Sequence, residues 1–319
     1  MFSKKDNRFV VSDAKFTRLY ENLVSHGPWA SSANEMEWVE VCNAFCKALQ
    51  TNDSIDSFIF AHMSDDKFVK LAKLAIAYQI AKGEFDHDFI PRNREISESD
   101  ELPSVVKEFE PGWLRSIWSI LVDGIDRDNV DGIFDNLSVV SFNYDRVFQI
   151  GLFRFLVWSQ LCVPQRARDL VNRIEIVFPY GCIAPWDQKI AYNVLENIML
   201  LDDFSNNIKT FGESRDEEVV QNVHGLLQAA ETIVFLGFSF HKQNNVFIPD
   251  MPRSPGKNVF FTSRGLSYPS RHDIKDRLIS KFFNGNQVLH HSPNVSGPLV
   301  DFHGSALELL AEFRSRLVL

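Results

Sequence analysis

The sequence predicts an α/β protein with a mostly parallel sheet, helices on both faces, and a mainly helical N-terminal segment or subdomain. Three observations carry this. From about residue 136 onward, short β-branched runs alternate with helical ones, the order that right-handed crossovers between parallel strands produce. The run Ile233-Val234-Phe235-Leu236 is apolar at every position, as a strand covered on both faces must be. Hydrophobic residues make up 45% of the 319-residue chain, enough to supply a sizeable core.

Residues 1–135 read as mainly helical and are expected to pack on the core domain as part of one integrated unit. Phe16, Leu19, Tyr20 and Leu23 lie at helical spacing within 14–25. Trp38, Val41, Cys42, Phe45 and Leu49 repeat the pattern. Ser54 is placed to cap the next helix, and Asp56 adds a carboxylate to its first turn. Val69, Leu71, Ala72, Leu74, Ala75 and Tyr78 define a helix over 68–82. The Glu-, Ser- and Asp-rich stretch 92–101 reads as an exposed loop, and 113–125 as another amphipathic helix.

Residues 136–319 are expected to form the α/β domain that carries the parallel sheet. Strands are predicted over 137–142, 174–178, 208–211, 232–236 and 258–262. Helices are predicted over 147–160, 217–230, 274–283 and 305–317. The 28 Phe residues are spread along the whole chain and read as core filling.

Charge and cysteine usage narrow the partners. A net charge of −9 repels phosphate backbones, and Lys and Arg never run beyond a pair, so nucleic acid is not an expected partner. Cys42, Cys46, Cys162 and Cys182 form neither a C-x-x-C pair nor a zinc ribbon; they read as free thiols, and no metal is expected. No apolar run approaches the ~20 residues that span a bilayer, and the polar start Met1-Phe2-Ser3-Lys4-Lys5 leads into no apolar signal core. A cytoplasmic protein without a membrane partner is the expectation.

Ligands of open parallel sheets bind outside the carboxyl ends of strands, so three strand ends are the candidate site. In Val140-Ser141-Phe142-Asn143-Tyr144-Asp145, the amide of Asn143 and the carboxylate of Asp145 stand two apart at a sheet edge. They could hold ribose hydroxyls, a carboxamide or a water; equally, they could cap the following helix. Phe178-Pro179-Tyr180-Gly181-Cys182 ends a strand in a turn, where Gly181 would allow close backbone approach. Leu236-Gly237-Phe238-Ser239-Phe240-His241 ends the third. There Gly237 permits close approach, Ser239 offers a hydroxyl, His241 can titrate near neutrality, and Asn244 follows on the same loop. Thr262 closes the next predicted strand.

Taken in order, these segments resemble the sirtuin-like NAD-binding proteins, most closely the bacterial branch found in antiviral defence proteins. The resemblance rests on Phe142-Asn143-Tyr144-Asp145, Tyr180-Gly181 and Leu236-Gly237-Phe238-Ser239, with Ser54-Ile55-Asp56-Ser57-Phe58 and the helix holding Lys73 and Ala77 similar to that branch's helical insertion. It implies an NAD-binding Rossmann-like domain that hydrolyses NAD to nicotinamide and ADP-ribose. Asn143, Asp145 and His241 would be the catalytic set, with Asn143 orienting water or ribose and Asp145 contacting nicotinamide or shaping the site. Phe142, Tyr180, Gly181, Gly237, Ser239, Asn244 and Thr262 would line the cofactor. NAD or an ADP-ribose-type nucleotide is the implied ligand, and a second copy or another defence protein the implied macromolecular partner.

The chain departs from that pattern in two places. The family's Gly-Ala-Gly-x-Ser-type loop has no counterpart: Phe9-Val10-Val11 leads into Ser12-Asp13-Ala14, and the first glycine is Gly27. Either this member has lost the loop or its strand lies outside the sequence. Tyr180 stands where relatives carry the catalytic His, and an unperturbed Tyr pKa of ~10 makes a poor base near neutrality. These departures keep open an alternative, a catalytically degenerate nucleotide-binding sensor or interaction domain. The absent zinc ribbon argues against protein deacylation.

Overall fold

In this computed structural model, the described residues are 2–5, 8–11, isolated positions between 40 and 51, 55–86, 112–188, 197–210, 213, 216–251, 257–283 and 298–318. The helix expected at 14–25, the Ser54 cap, the 92–101 loop, Cys42 and Cys46 lie outside them.

The labelled elements follow in chain order. They are β1 (Phe2–Lys5), β2 (Arg8–Val11), α1 (Ile55–Ala61), α2 (Asp66–Asp86), α3 (Trp113–Leu121), β3 (Ser138–Val140) and α4 (Val147–Trp158). Then come α5 (Pro164–Asn172), β4 (Glu175–Val177), α6 (Ile198–Asn206), α7 (Glu217–Ala229) and β5 (Thr232–Phe235). The last are β6 (Asn258–Thr262), α8 (Tyr268–Phe283), β7 (Leu299–Phe302), α9 (Ala306–Glu312) and α10 (Arg314–Leu317).

The chain folds as two compact units that interleave in sequence. The first comprises Met1–Pro103, Asn143–Arg154 and Phe178–Arg215. The second comprises Ser104–Phe142, Phe155–Val177 and Asp216–Leu319.

In the first unit, β1 and β2 pair antiparallel, with Phe2 opposite Val11. Its core is helical. Leu71, Leu74, Ala75 and Tyr78 of α2 recur at helical spacing and are buried with Phe45, Phe58, Leu201, Phe204, Ile183 and Ala184. Alanines at 72, 77 and 81 give α2 a smooth buried face. Phe58 meets Phe45 edge-on, with ring centroids 4.9 Å apart.

The second unit holds the parallel strands. β3 and β4 pair parallel in the register Ser138 opposite Glu175, and the Ser141 amide extends the ladder to the Val177 carbonyl at 2.9 Å. β5, β6 and β7 form a second parallel sheet in that order. Alternation along β6 sends side chains to two cores. Val259 and Phe261 pack with Ile274, Leu278 and Phe282 of α8. Phe260 packs with Leu309, Leu310, Phe313 and Leu317 of the C-terminal helices, with Ile117 and Ile120 of α3 against them. The three-stranded sheet is therefore covered on both faces, which explains the apolar runs 233–235 in β5 and 259–261 in β6. Phe142 and Phe238 lie beyond the carboxyl ends of β3 and β5, and their ring centroids are 4.9 Å apart.

Several expectations are corrected. Residues 208–210 form no strand: after α6 the Ile208 amide turns back to the Ser205 carbonyl, and burial, 1% exposure, accounts for the apolar side chain at 208, while 211 lies outside the described residues. The helix expected over 113–125 stops at Leu121, with Gly124 at φ 76° beyond it. The C-terminal helix breaks at Phe313 into α9 and α10, and Ser305 with Glu308 closes a capping box at its start. Strands β1, β2 and β7 and helices α5 and α6 have no counterpart among the sequence expectations, which read residues 1–135 as mainly helical.

Candidate functional site

The loop after β3 is built by burial of its charged end. Asp145 Oδ1 accepts the Val147 amide at 3.0 Å and caps α4. Burial pushes the Asp145 carboxyl above the ordinary carboxylate range; the Val147 amide opposes that shift, and nearby Glu84 adds to it. Asn143, two residues earlier, is exposed. Tyr144 packs against the α2 core.

The next residue, Arg146, is fully buried, and so, at 2% exposure, is Glu84 of α2. Arg146 Nη2 lies 2.6 Å and Nε 3.1 Å from Glu84 Oε2. The Arg146 backbone amide donates to Glu84 Oε1 at 2.9 Å. Arg146 Nη1 reaches the Pro185 and Gln188 carbonyls, both at 3.1 Å.

The second predicted segment joins the first within this unit. The Ile183 amide donates to the Tyr144 carbonyl at 2.9 Å, and the Lys209 amide to the Tyr180 carbonyl at 2.8 Å. Cys182 Sγ lies 3.8 Å from the Asp145 carbonyl, and burial pushes its thiol up to about 11. Gly181 adopts φ 80°, and a Cβ there would stand against the Asn207 carbonyl oxygen. Only glycine satisfies both the left-handed backbone and that approach. Asn207 Nδ2 also donates to the Ile183 carbonyl at 2.9 Å.

The third segment lies in the second unit. Gly237 adopts φ 60°, is exposed, and has nothing within 4 Å of where a Cβ would stand. Its amide donates to Thr262 Oγ1 at 2.8 Å, linking the ends of β5 and β6. Ser239 and His241 are exposed. The Ser239 carbonyl accepts Asn244 Nδ2 at 2.9 Å, and the His241 carbonyl accepts the Asn244 and Asn245 amides at 3.0 and 3.2 Å. Phe142 belongs to an aromatic cluster here: its ring lies 5.5 Å from Phe247, and Phe238 lies 4.8 Å from Phe240.

Asn143, Asp145, Tyr180 and Gly181 thus belong to the first unit. Phe142, Gly237, Ser239, His241, Asn244 and Thr262 belong to the second. Sequence reasoning missed Glu84 and Arg146. The available signal was a lone Arg opening the otherwise apolar run Val147-Phe148, and a lone carboxylate closing the apolar face of α2. It also missed a polar cluster at the ends of β6 and β7. There Ser263 Oγ donates to Asp301 Oδ1 at 2.5 Å, and Arg271 Nε donates to Oδ2 at 3.0 Å.

Among the described residues, no group of three or more His, Cys, Asp or Glu side chains is placed to hold a metal, and no helix is long and apolar enough to cross a membrane. Comparison of the chain with family models, with curated proteins and with solved structures found no match to any of them.

Proposed function

We propose that this chain is a sirtuin-like protein that binds an NAD-type dinucleotide, with Asn143-Tyr144-Asp145 at the nicotinamide–ribose end. One observation supports this above the others: the chain that follows Tyr180-Gly181 is tied back to the Asn-Tyr-Asp element by the Ile183 amide on the Tyr144 carbonyl. The element carries an exposed amide, Asn143, two positions before a half-buried carboxyl whose pKa is raised, and perturbed carboxyls are common at binding and catalytic sites. The residues suit the ligand chemically. Asn143 offers donor and acceptor to a ribose or carboxamide, and the Gly181 turn brings backbone close to its neighbours without side-chain bulk.

Binding without turnover is the form of this reading that the residues favour. Tyr180 replaces the family's His, Asp145 Oδ1 is engaged in capping α4, and His241 is exposed in the other unit. Hydrolysis of NAD to nicotinamide and ADP-ribose is the second reading. It draws on the raised Asp145 carboxyl, which retains a proton at higher pH than an ordinary Asp and could then donate to the nicotinamide carboxamide. Antiviral defence would be its biological setting. Calorimetric titration of the full chain with NAD and ADP-ribose, beside an assay for released nicotinamide, tests both. Saturable binding lost in Asn143→Ala is expected, with no release; absence of binding by both ligands would sink the proposal, and release abolished by Asn143→Ala would establish hydrolysis instead.

A further inference from the structure

We propose that Glu84 and Arg146 are positioning residues for the Asn143-Tyr144-Asp145 element, an inference that rests on the nucleotide-binding reading of that element. The two side chains are buried within the first unit, with exposures of 2% and 0%. Such a pair is a poor source of stability, because desolvating both charges offsets most of their attraction, and apolar replacements of similar volume are often as stable. What the pair supplies is direction.

Glu84 holds the main chain and the side chain of one residue together. Its Oε1 accepts the Arg146 backbone amide at 2.9 Å, and its Oε2 accepts Nη2 at 2.6 Å and Nε at 3.1 Å. This fixes the peptide plane immediately after Asp145 relative to helix α2. The Arg146 carbonyl then receives the Ile150 amide at 3.1 Å, so the same residue sets how α4 starts and where the Asp145 cap meets the Val147 amide. On its remaining edge the guanidinium donates from Nη1 to the Pro185 and Gln188 carbonyls. That holds the segment following Tyr180-Gly181, whose Ile183 amide in turn holds the Tyr144 carbonyl. One planar fork therefore gathers α2, the strand-end element and the 183–188 segment. A Lys in its place would keep the charge and lose the geometry.

The test uses the full chain carrying Glu84→Met together with Arg146→Met, which removes both charges and leaves neither unpaired. Three quantities are read: Tm, affinity for NAD by calorimetry, and exchange protection of the Ile183 amide. The expected result is a folded protein with a Tm no lower than wild type, an NAD Kd raised at least ~10-fold, and Ile183 protection lowered about as much. Wild-type affinity and protection in that variant would overturn the proposal, since the pair would then be a replaceable part of the core. Should the double variant not fold, Arg146→Lys decides in the same way: lost affinity and protection uphold the role of the fork, and unchanged values overturn it. If wild type itself binds no NAD, the nucleotide reading fails, while Ile183 protection still reports separately on positioning.

Discussion

Gly181 and Gly237 each follow the carboxyl end of a parallel strand, and each has a positive φ, 80° and 60°. Their surroundings differ. Gly181 is pressed against the Asn207 backbone, in a region where the neighbouring charges of Glu84 and Arg146 are sealed and fully engaged. Gly237 is open, with its amide on Thr262 and the exposed Ser239 close in sequence. In the first unit, the candidate residues are held by a dense polar frame. In the second, the strand end is flanked by half-buried phenylalanines and leaves its glycine free to meet a ligand. A glycine after a strand is one signal in sequence, but it marks two different physical needs: backbone packing in one place and accessible space in the other.

That contrast can be broken by substitution. Arg146→Met alone strands the Glu84 carboxylate in the core and is expected to cost about 3–5 kcal/mol in chemical denaturation; a loss near zero would show that the frame of the first unit does not depend on the pair. Gly181→Ala combines a left-handed Cβ with a backbone clash and is expected to cost about 2–4 kcal/mol. Gly237→Ala meets only the left-handed penalty, about 1 kcal/mol. Equal midpoint shifts for the two alanines would erase the distinction between packed and open glycine. Thr262→Val deletes the acceptor of the Gly237 amide while keeping shape, and should cost about 1 kcal/mol or less, because the exposed glycine can turn to water.

The smallest effect is a change of slope. Asp145 titrates above the ordinary carboxylate range when folded, so across that interval the folded chain holds more protons than the unfolded chain. Its contribution to stability is complete below the ordinary carboxylate pKa and is lost as pH rises through the raised one. Asp145→Asn keeps a helix-capping side chain and removes this loss. Its Tm should exceed that of wild type at neutral pH, and the gain should shrink toward acid pH. A constant difference across pH would mean that Asp145 does not titrate as its burial implies.

The legible parts of the fold were those whose signal is periodic. α2, α7, β5 and β6 were foreseen because a 3.6-residue or all-apolar pattern follows directly from burial on one face or two. Helix α5 escaped because its buried face is narrow, only Ala167, Leu170 and Val171 among charged neighbours. Strand β7 escaped because Asp301 interrupts its apolar run, and that charge is tolerated only because Ser263 and Arg271 receive it. Residues 208–210 show the converse: Ile208 announced burial but not a ladder. At the site, the Asn143-Tyr144-Asp145 element could be found because residues near strand ends are local in sequence.

By itself, the sequence determined the α/β character, most helices and strands, and which strand ends carry polar residues, since each follows from short-range spacing. Only the tertiary structure decided that the Ile183 amide ties the chain after Gly181 to Tyr144, that Gly181 is packed while Gly237 is open, and that Glu84 meets Arg146 across 62 positions of chain. Those outcomes depend on where desolvated charges find partners. Such pairing is set by packing between segments distant in sequence, and no local spacing records it.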